Sequence, residues 1–224
     1  MKKNRFLVCG LGNFNSHVAS RLFEKGHEVI AIDLDEKKIR EAKDYVSEAI
    51  VADVSEREAL DQLGLDGIDA AVISLGEERI DASVLTTLHL KDMGIQKIIV
   101  KAISPEHGRI VEKIGATEII YPEKEAGLRL ADRLSSPHVF EQINIHEDYT
   151  LVEMTAPKEL WNKTLKEASI RSNYGVTVVW IDRKLPSGKV VSIVPTPNEM
   201  VMEGDVLFVL GDKEAVERFK ELKV

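Results

Sequence analysis

Residues 6–33, FLVCGLGNFNSHVASRLFEKGHEVIAID, decide the fold of this chain. An apolar run leads into Gly10-Leu11-Gly12, a segment with helical periodicity follows, and a second apolar run ends at Asp33. This order predicts a strand, a glycine-rich turn, a helix and a second strand, which together start a βαβ unit.

The glycine-rich turn indicates a phosphate site, because it lets backbone N–H groups and the positive end of a helix dipole approach an anion. The dinucleotide motif G-x-G-x-x-G uses three glycines, whereas this chain has Gly10, Gly12 and then Asn15. An acidic residue at the end of the second strand binds ribose hydroxyls and disfavours a 2′-phosphate, so Asp33 argues against NADP. The alternative is a tight turn in an α/β fold that has lost its ligand.

Composition excludes several classes of function. The 224 residues include 38 acidic and 30 basic side chains, for a net charge of -8, and they contain no basic cluster. A nucleic-acid backbone is therefore not an expected partner. The single cysteine, Cys9, cannot form an internal disulfide and is predicted to be a small buried residue. No stretch approaches the ~18 apolar residues of a spanning helix, so we expect a soluble, cytoplasmic protein.

Strands alternate with helices as far as about residue 135. This order predicts a Rossmann-like, doubly wound parallel sheet over residues 1–136. Ligands bind beyond the carboxyl ends of such strands, so Asp33 and Asp53 would lie at the same edge. An equally good interpretation makes Asp53 the N-cap of the next helix. The predicted strands after Asp33 are 48–53, 68–75, 97–102 and 118–122, and the predicted helices are 36–45, 55–63, 82–93, 106–114 and 123–134.

A change of pattern after Ser135-Ser136-Pro137 predicts a domain boundary. Residues 137–147 are interpreted as a linker, and residues 148–224 as a small α+β domain built from hairpins. Its predicted strands are 149–154, 176–181, 190–194 and 206–210, and its predicted helices are 163–173 and 213–222.

The whole chain resembles a known family. The segments GLGNF, VIAID, ASVLTTLHLKDMG, IIVKA and EKIGATEIIYPEKEAG, with the small C-terminal module, are similar to the cytosolic regulatory subunits of Ktr/Trk-type potassium transport systems. These are RCK (regulator of potassium conductance) proteins. The resemblance implies an RCK-N domain that binds ATP, ADP or NAD(H) and an RCK-C (TrkA-C) domain. It further implies homodimers in an octameric ring, which gates an integral-membrane potassium channel or transporter subunit at the inner face of the membrane.

The resemblance also implies which residues bind the nucleotide. Asp33 would hold the ribose, Asp53 would line the adenine pocket, and Lys101 would lie near phosphate. Glu123 matches a family carboxylate that helps to hold a divalent cation, Mg²⁺ or Ca²⁺, between subunits. The implied cofactor-binding residues are Gly10, Leu11, Gly12, Asn13, Phe14, Asn15, Asp33, Leu34, Asp53, Val54, Leu75, Gly76 and Lys101.

Two residues depart from the family pattern. The family often has arginine where this chain has Asn13, and a neutral amide cannot supply the charge-assisted bond to a terminal phosphate. The choice among ATP, ADP and NAD(H) therefore stays open. Asn15 replaces the third glycine, and its side chain must displace the helix, fill the phosphate space or turn outward.

A second ligand is implied for the C-terminal module. Arg171 and Asn173, with the turn Pro195-Thr196-Pro197, resemble positions where some family members hold cyclic di-AMP at a dimer seam. An arginine can pair with a phosphate, but a solvated helix face explains Arg171 equally well.

Other classes of function stay open as alternatives. A small NAD-dependent oxidoreductase would need a proton-transfer group, yet none of the four tyrosines is followed four residues later by lysine. A redox-linked transcriptional sensor would need a helix-turn-helix with basic flanks, which the sequence does not suggest. A structural ring subunit with a degenerate nucleotide site is the third alternative.

Overall fold

The computed structural model describes residues 3–224 of the chain. Contacts between residues divide it into an N-terminal unit that ends at Pro122 and a C-terminal unit that begins at Glu123. This division falls earlier than the domain boundary predicted at residue 136, because contacts assign the helix that begins at Pro122 to the second unit. Within residues 3–224, no helix combines the length and the apolar character needed to cross a membrane.

The N-terminal unit is a parallel six-stranded sheet flanked by helices. The strand order is β3-β2-β1-β4-β5-β6, and the order reverses between β1 and β4, as in a Rossmann fold. The predicted α/β class is confirmed. Its strands are β1 Arg5–Cys9, β2 Glu28–Asp33, β3 Glu48–Val51, β4 Ala70–Ile73, β5 Ile98–Lys101 and β6 Glu118–Ile120. Its helices are α1 Asn13–Glu24, α2 Glu36–Ala42, α3 Arg57–Asp61, α4 Ile80–Asp92 and α5 Pro105–Ile114.

Apolar side chains on both faces of the sheet explain why its strands are buried. Alternate residues of β1 point to opposite sides, so Leu7 and Cys9 join one core cluster while Val8 joins the other. Ile30 and Ala31 of β2 divide in the same way. Such two-sided burial is typical of parallel sheets covered by helices.

The C-terminal unit contains a five-stranded antiparallel sheet in the order β11-β10-β13-β8-β7 and a two-stranded sheet of β9 and β12. Val216 and Phe219 of the last helix are buried in its core. The predicted α+β class is confirmed. The strands are β7 Val139–Asn144, β8 Tyr149–Thr155, β9 Lys163–Thr164, β10 Thr177–Lys184, β11 Val190–Ile193, β12 Met200–Val201 and β13 Val206–Asp212. The helices are α6 Pro122–Ser135, α7 Leu165–Ala168, α8 Ile170–Tyr174 and α9 Lys213–Lys220, with a 3-10 turn at Lys158–Leu160.

Two parts of the C-terminal unit differ from the prediction. The helix predicted over 163–173 is two short helices, because Ser169 adopts a left-handed backbone with φ +47° between them. Thr164 and Glu167 form a capping box at the start of α7. Thr164 is therefore the N-cap of that helix and belongs to strand β9, so the helix begins at Leu165 and not at residue 163. The segment 137–147, interpreted as a linker, contains β7, whose residues pair antiparallel with β8.

Candidate functional site

The turn after β1 requires glycine at position 10. Gly10 has φ +84°, and a Cβ placed there would lie 2.2 Å from the carbonyl oxygen of Ser74 at the end of β4. The Gly10 N–H donates to Ile32 O over 2.7 Å. The turn is thus pressed between the ends of β2 and β4, at the point where the strand order of the sheet reverses.

The helix that follows leaves its first amides available. Gly12 is the N-cap of α1 and provides no side-chain cap, and among residues 3–224 no atom would lie within 4 Å of a Cβ placed there. The first-turn N–H groups of a helix have no acceptor within the helix. Open space in front of uncapped amides and a positive helix end fits a phosphate group.

Asn15 adopts an arrangement that differs from the three we expected. It is fully buried, and its Nδ2 donates to Cys9 O over 2.9 Å and to Gly10 O over 2.8 Å. The side chain turns back onto the end of β1, so it occupies no space in front of α1. Its Oδ1 is buried and has no hydrogen-bond partner within residues 3–224. The Asn15 side chain therefore ties the start of α1 to the end of β1 and to the glycine turn.

Asp33 braces the same turn. Its Oδ2 accepts a hydrogen bond of 2.6 Å from Leu11 N–H, and Lys38 Nζ lies 3.3 Å from that oxygen. Its Oδ1 accepts from Asp35 N–H over 2.8 Å. A carboxylate offers about four acceptor positions, so Oδ1 retains capacity for a ribose hydroxyl. The sequence predicted a ribose contact and missed the brace, because the acceptor chosen by Leu11 N–H depends on the turn geometry.

Asp53 is held by two partners, of which the sequence predicted neither. Its Oδ1 accepts from Ser55 N–H at 2.9 Å and Ser55 Oγ at 2.6 Å, while Arg79 Nη2 lies 3.1 Å from Oδ1 and 2.9 Å from Oδ2. Partial burial by itself would raise the pKa of Asp53, but the Ser55 hydrogen bonds and the Arg79 guanidinium together lower it. The N-cap of α3 is Glu56, so the interpretation of Asp53 as that N-cap is wrong.

The remaining predicted residues lie around this edge with different exposure. Val54 is buried, and Leu75 packs against the core while Gly76, with φ +92°, has open space beside its Cα. Lys101 ends β5 and is half-buried. Asn13 and Leu34 are exposed, Phe14 is half-buried and Leu11 is buried. Hydrogen bonds bring together the ends of β1, β2 and β4, and a separate ion pair joins the loops after β3 and β4.

The sequence analysis also singled out Cys9, at the end of β1, and Glu123. Cys9 is fully buried, and burial raises the pKa of its thiol to about 12, so it remains a small apolar core residue. Glu123 is exposed in the first turn of α6, in the C-terminal unit. Within residues 3–224, no three His, Cys, Asp or Glu side chains come together as a metal site.

The C-terminal unit has its own cavity of about 300 Å³. Arg171 and the turn 195–197 line it, together with Lys166 and mainly apolar side chains. Asn173 does not line it; its Nδ2 instead donates to Ala168 O, at the end of α7, over 3.0 Å.

Comparison with known proteins adds to this geometry. The TrkA-N domain model matches residues 6–122, and the TrkA-C domain model matches residues 149–223. Ktr system potassium uptake protein C of Bacillus subtilis is 36% identical over 219 residues, covering 98% of this chain and 97% of that protein. Ktr system potassium uptake protein A of the same organism is 34% identical over 220 residues, with coverage of 98% and 97%.

Solved structures show the same fold at low identity. The GsuK channel superposes with a TM-score of 0.67 at 15% identity, and the GsuK channel bound to NAD superposes with 0.64 at 14%. Each match covers 99% of this chain but only 39% of the channel chain. The chain therefore corresponds in fold to a part of those channel proteins.

Proposed function

The chain belongs to the family defined by the TrkA-N and TrkA-C domains, and on that premise we propose that it is a nucleotide-sensing regulatory subunit of a potassium transport system. Both Bacillus subtilis relatives are named as potassium uptake proteins, and they align over almost their full length. The proposal assigns sensing to the N-terminal unit and regulation to an assembly with a membrane partner.

One observation carries the nucleotide assignment. The amides at the start of α1 face open space because Gly12 provides no cap, while Gly10, Asn15 and Asp33 hold the turn rigid from three sides. A turn that is fastened before its ligand arrives loses little further conformational entropy on binding. These amides would donate hydrogen bonds to the pyrophosphate or terminal phosphates of a nucleotide, and Asp33 Oδ1 would accept a hydrogen bond from a ribose hydroxyl.

The ligand proposed is an adenine nucleotide, ATP, ADP or NAD(H). A GsuK channel of the same fold has been solved with NAD bound. Asp33 would repel the 2′-phosphate of NADP, because its partly buried carboxylate ends β2 and an acidic residue at that point of a dinucleotide-binding fold binds the ribose hydroxyls. Because Asn13 is neutral, binding at the terminal phosphates depends on backbone amides and on any cation that accompanies the nucleotide.

Regulation would follow from unequal affinity for two states of an assembly. A ligand shifts a conformational equilibrium only by its differential affinity for the two states. We propose homodimers assembled into an octameric ring that contacts a membrane-embedded potassium channel or transporter subunit. Helix α6 supports assembly, because it has no buried residue and its three leucines, Leu128, Leu130 and Leu134, are 46–71% exposed. A second copy would cover this apolar face.

Two further ligands belong to the proposal. Glu123 would contribute one oxygen to Mg²⁺ or Ca²⁺, and nucleotide phosphates and a second chain would complete the hard-oxygen shell that such cations require. The cavity beside Arg171 would take cyclic di-AMP, whose phosphates the guanidinium can pair with and whose bases the apolar lining can cover.

The proposal excludes catalysis. An oxidoreductase must hold a proton-transfer group beside its hydride acceptor. Among the tyrosines of the N-terminal unit, Tyr121 is the one that directly follows a strand of the parallel sheet, β6. It is not followed by the lysine of a Tyr-x-x-x-Lys pair. Substrate-dependent consumption of NADH by the pure protein would contradict this part of the proposal.

Calorimetric titration of the purified chain with ATP, ADP, AMP, NAD and NADH, with and without Mg²⁺, tests the proposal. We expect saturable binding of at least one of them. Asp33→Asn keeps an acceptor for Leu11 N–H but loses the charge, so affinity should fall about ten-fold, and Asp33→Ala should lower it further. Asp44→Ala, an exposed carboxylate of the same unit, is the control. No binding to the wild-type chain would leave a structural ring subunit as the better account.

A further inference from the structure

An ion pair joins two loops of the N-terminal unit that the strand order keeps apart. Asp53 follows β3 and Arg79 follows β4, and strands β2 and β1 lie between them in the sheet. Arg79 Nη2 contacts both carboxylate oxygens, at 3.1 and 2.9 Å, and lies 3.5 Å from Ser55 Oγ. The pair therefore ties the loop after β3, residues 52–56 (the adenine-side loop), to the loop before α4.

Helix α4 holds the same loop at two more points. Thr86 Oγ1 lies 3.1 Å from Val54 O, and His89 Nε2 lies 3.2 Å from Ser55 O. Three successive residues of the adenine-side loop, 53, 54 and 55, are thus each held by one side chain from the segment 79–89. These contacts hold the loop against α4 and the residue that precedes it.

The ion pair itself has little to contribute to folding. The side chains of Arg79 and Asp53 are 33% and 29% exposed, and ion pairs near the surface stabilise proteins only slightly. The pair fixes the direction of the carboxylate. Ser55 and Arg79 donate to Oδ1, whereas Arg79 is the one donor to Oδ2 within residues 3–224, so that Oδ2 retains acceptor capacity. The lowered pKa of Asp53 keeps this oxygen an acceptor at neutral pH.

A direct phosphate contact by Arg79 does not fit this geometry. The glycine turn follows β1, two strands from β3, which is roughly 10 Å at the usual interstrand spacing. The Arg79 guanidinium donates to Asp53, which follows β3 and so lies at the far end of this distance from the glycine turn. Its effect on a nucleotide must then act through Asp53.

We propose that Arg79 is a positioning residue that aims Asp53 Oδ2 at the 6-amino group of adenine, so that the pair selects adenine over 6-oxo purines. The amino group of adenine donates a hydrogen bond, whereas the O6 atom of guanine or hypoxanthine can only accept. An ionised carboxylate also only accepts, so it pairs with the first and repels the second. This inference rests on the proposed nucleotide function and adds a residue and a base preference to it.

Titration with ADP, IDP and adenosine tests the inference, because IDP differs from ADP mainly at position 6 of the base. The wild-type chain should bind ADP at least about ten-fold more tightly than IDP, the scale of one lost charge-assisted hydrogen bond. In Arg79→Gln, ADP and adenosine should lose affinity by a similar factor while IDP changes little, so that the ADP-to-IDP ratio approaches one. Arg79→Lys should retain part of the preference. Asp53→Asn should remove it, since an amide can both donate and accept.

Arg5→Gln is the matched control, because Arg5 forms an ion pair of similar length and exposure with Glu28 at the amino ends of β1 and β2, the opposite edge of the sheet from the adenine-side loop. It should leave all three affinities unchanged. Circular dichroism of each variant checks folding, and Arg79→Lys serves if Arg79→Gln does not fold.

Four results would overturn the inference. An unchanged ADP-to-IDP ratio in folded Arg79→Gln would mean that Arg79 has no role in base selection. Loss of ADP affinity without loss of adenosine affinity would make Arg79 a phosphate contact. If the wild-type chain binds ADP but shows no preference over IDP, base selection fails while nucleotide sensing stands, whereas absence of binding to any nucleotide overturns both.

Discussion

Each unit contains an ion pair of similar length. Arg79 pairs with Asp53 at 2.9 Å in the N-terminal unit, and Arg183 pairs with Asp205 at 2.8 Å in the C-terminal unit. Asp205 is only 1% exposed, against 29% for Asp53. Arg183 also donates to Glu199 and to Met200 O, and Met202 N–H donates to Asp205. A buried, fully paired network holds a fold, whereas a partly exposed pair with spare acceptor capacity at a sheet edge can serve a ligand.

The helices of the two units differ in how their first amides are capped. In the C-terminal unit, Asp212 caps α9 by accepting from Ala215 N–H over 2.8 Å, and Thr164 caps α7. In the N-terminal unit, Asp35 and Ser104 cap α2 and α5, but α1 has only Gly12 at its start. Helices α3, α4 and α8 also begin without a side-chain cap, but α1 alone of these four follows the glycine turn after β1 and has a glycine with open space as its N-cap, so its first amides can reach a ligand.

The largest predicted effect is in the C-terminal network. Asp205→Ala leaves the Arg183 guanidinium without its buried partner, and breaking such a pair costs about 3–5 kcal/mol in the free energy of unfolding. Urea unfolding measures this loss. Glu214→Ala, at a carboxylate that is 92% exposed, is the control and should change stability little. A loss below about 1 kcal/mol for Asp205→Ala would contradict a structural role, as would a change in nucleotide affinity of the folded variant.

The next effect concerns the glycine turn. Gly10→Ala imposes a left-handed backbone on alanine and brings its Cβ against Ser74 O. Backbone strain alone costs about 1–3 kcal/mol, so we expect the free energy of unfolding to fall by more than that and nucleotide binding to be lost. Gly26→Ala separates the two causes, because Gly26 has φ +83° but open space. Equal destabilisation of the two variants would show that the close approach to β4 is unimportant.

A smaller effect is expected at Asn15. Asn15→Ala removes two hydrogen bonds to the carbonyl groups of Cys9 and Gly10, at a cost of about 1–2 kcal/mol. Nucleotide affinity should also fall, because the turn loses its fastening to α1. Asn13→Ala, at an exposed position two residues earlier, should leave stability within about 0.5 kcal/mol of the wild type. An Asn15→Ala variant as stable as Asn13→Ala would show that the buried amide does not hold the turn.

The smallest effect depends on pH. Burial lowers the pKa of His107, whose Nδ1 accepts from Ile103 N–H and whose Nε2 lies 3.2 Å from Ser83 Oγ. The unfolded chain therefore binds this proton more readily than the folded chain, and the stability contribution is present above about pH 6.5 and is lost as pH falls toward the lowered pKa. Thermal unfolding between pH 5 and 8 should be less pH-dependent in His107→Gln than in the wild type. His17→Gln, at an exposed histidine, should retain the full dependence.

The fold was largely predictable from residues that act locally. Apolar runs such as 29–32 are buried on both faces of a parallel sheet, and glycine at position 10 is required by a positive φ and a close contact, so both leave a pattern in the sequence. The break at Ser169 left no such pattern, because serine rarely adopts that backbone. The strand β7 was missed since its residues are mostly exposed and do not alternate cleanly.

The candidate site was only partly predictable. Asp33 could be placed by its position after β2, because the carboxyl ends of parallel strands share an edge. Arg79 could not, since its contact with Asp53 depends on the path of a loop that reaches past two strands. The inward turn of Asn15 likewise depends on carbonyl groups of β1 that a sequence pattern does not locate. The positions of Lys101 and Glu123 relative to a nucleotide stay predictions.

The most direct test of the central claim, that the uncapped start of α1 receives a nucleotide phosphate, is calorimetric titration of Gly12→Asp with the nucleotide that the wild-type chain binds. Gly12 has φ -73° and ψ 174° with open space around it, so a side chain fits there. Aspartate is a favoured N-cap, and its carboxylate would accept hydrogen bonds from the free amides and repel a phosphate. Gly12→Asn caps α1 without the charge. The account predicts a folded Gly12→Asp with stability at or above wild type and no measurable binding, and weakened binding for Gly12→Asn. Wild-type affinity in a folded Gly12→Asp would contradict it.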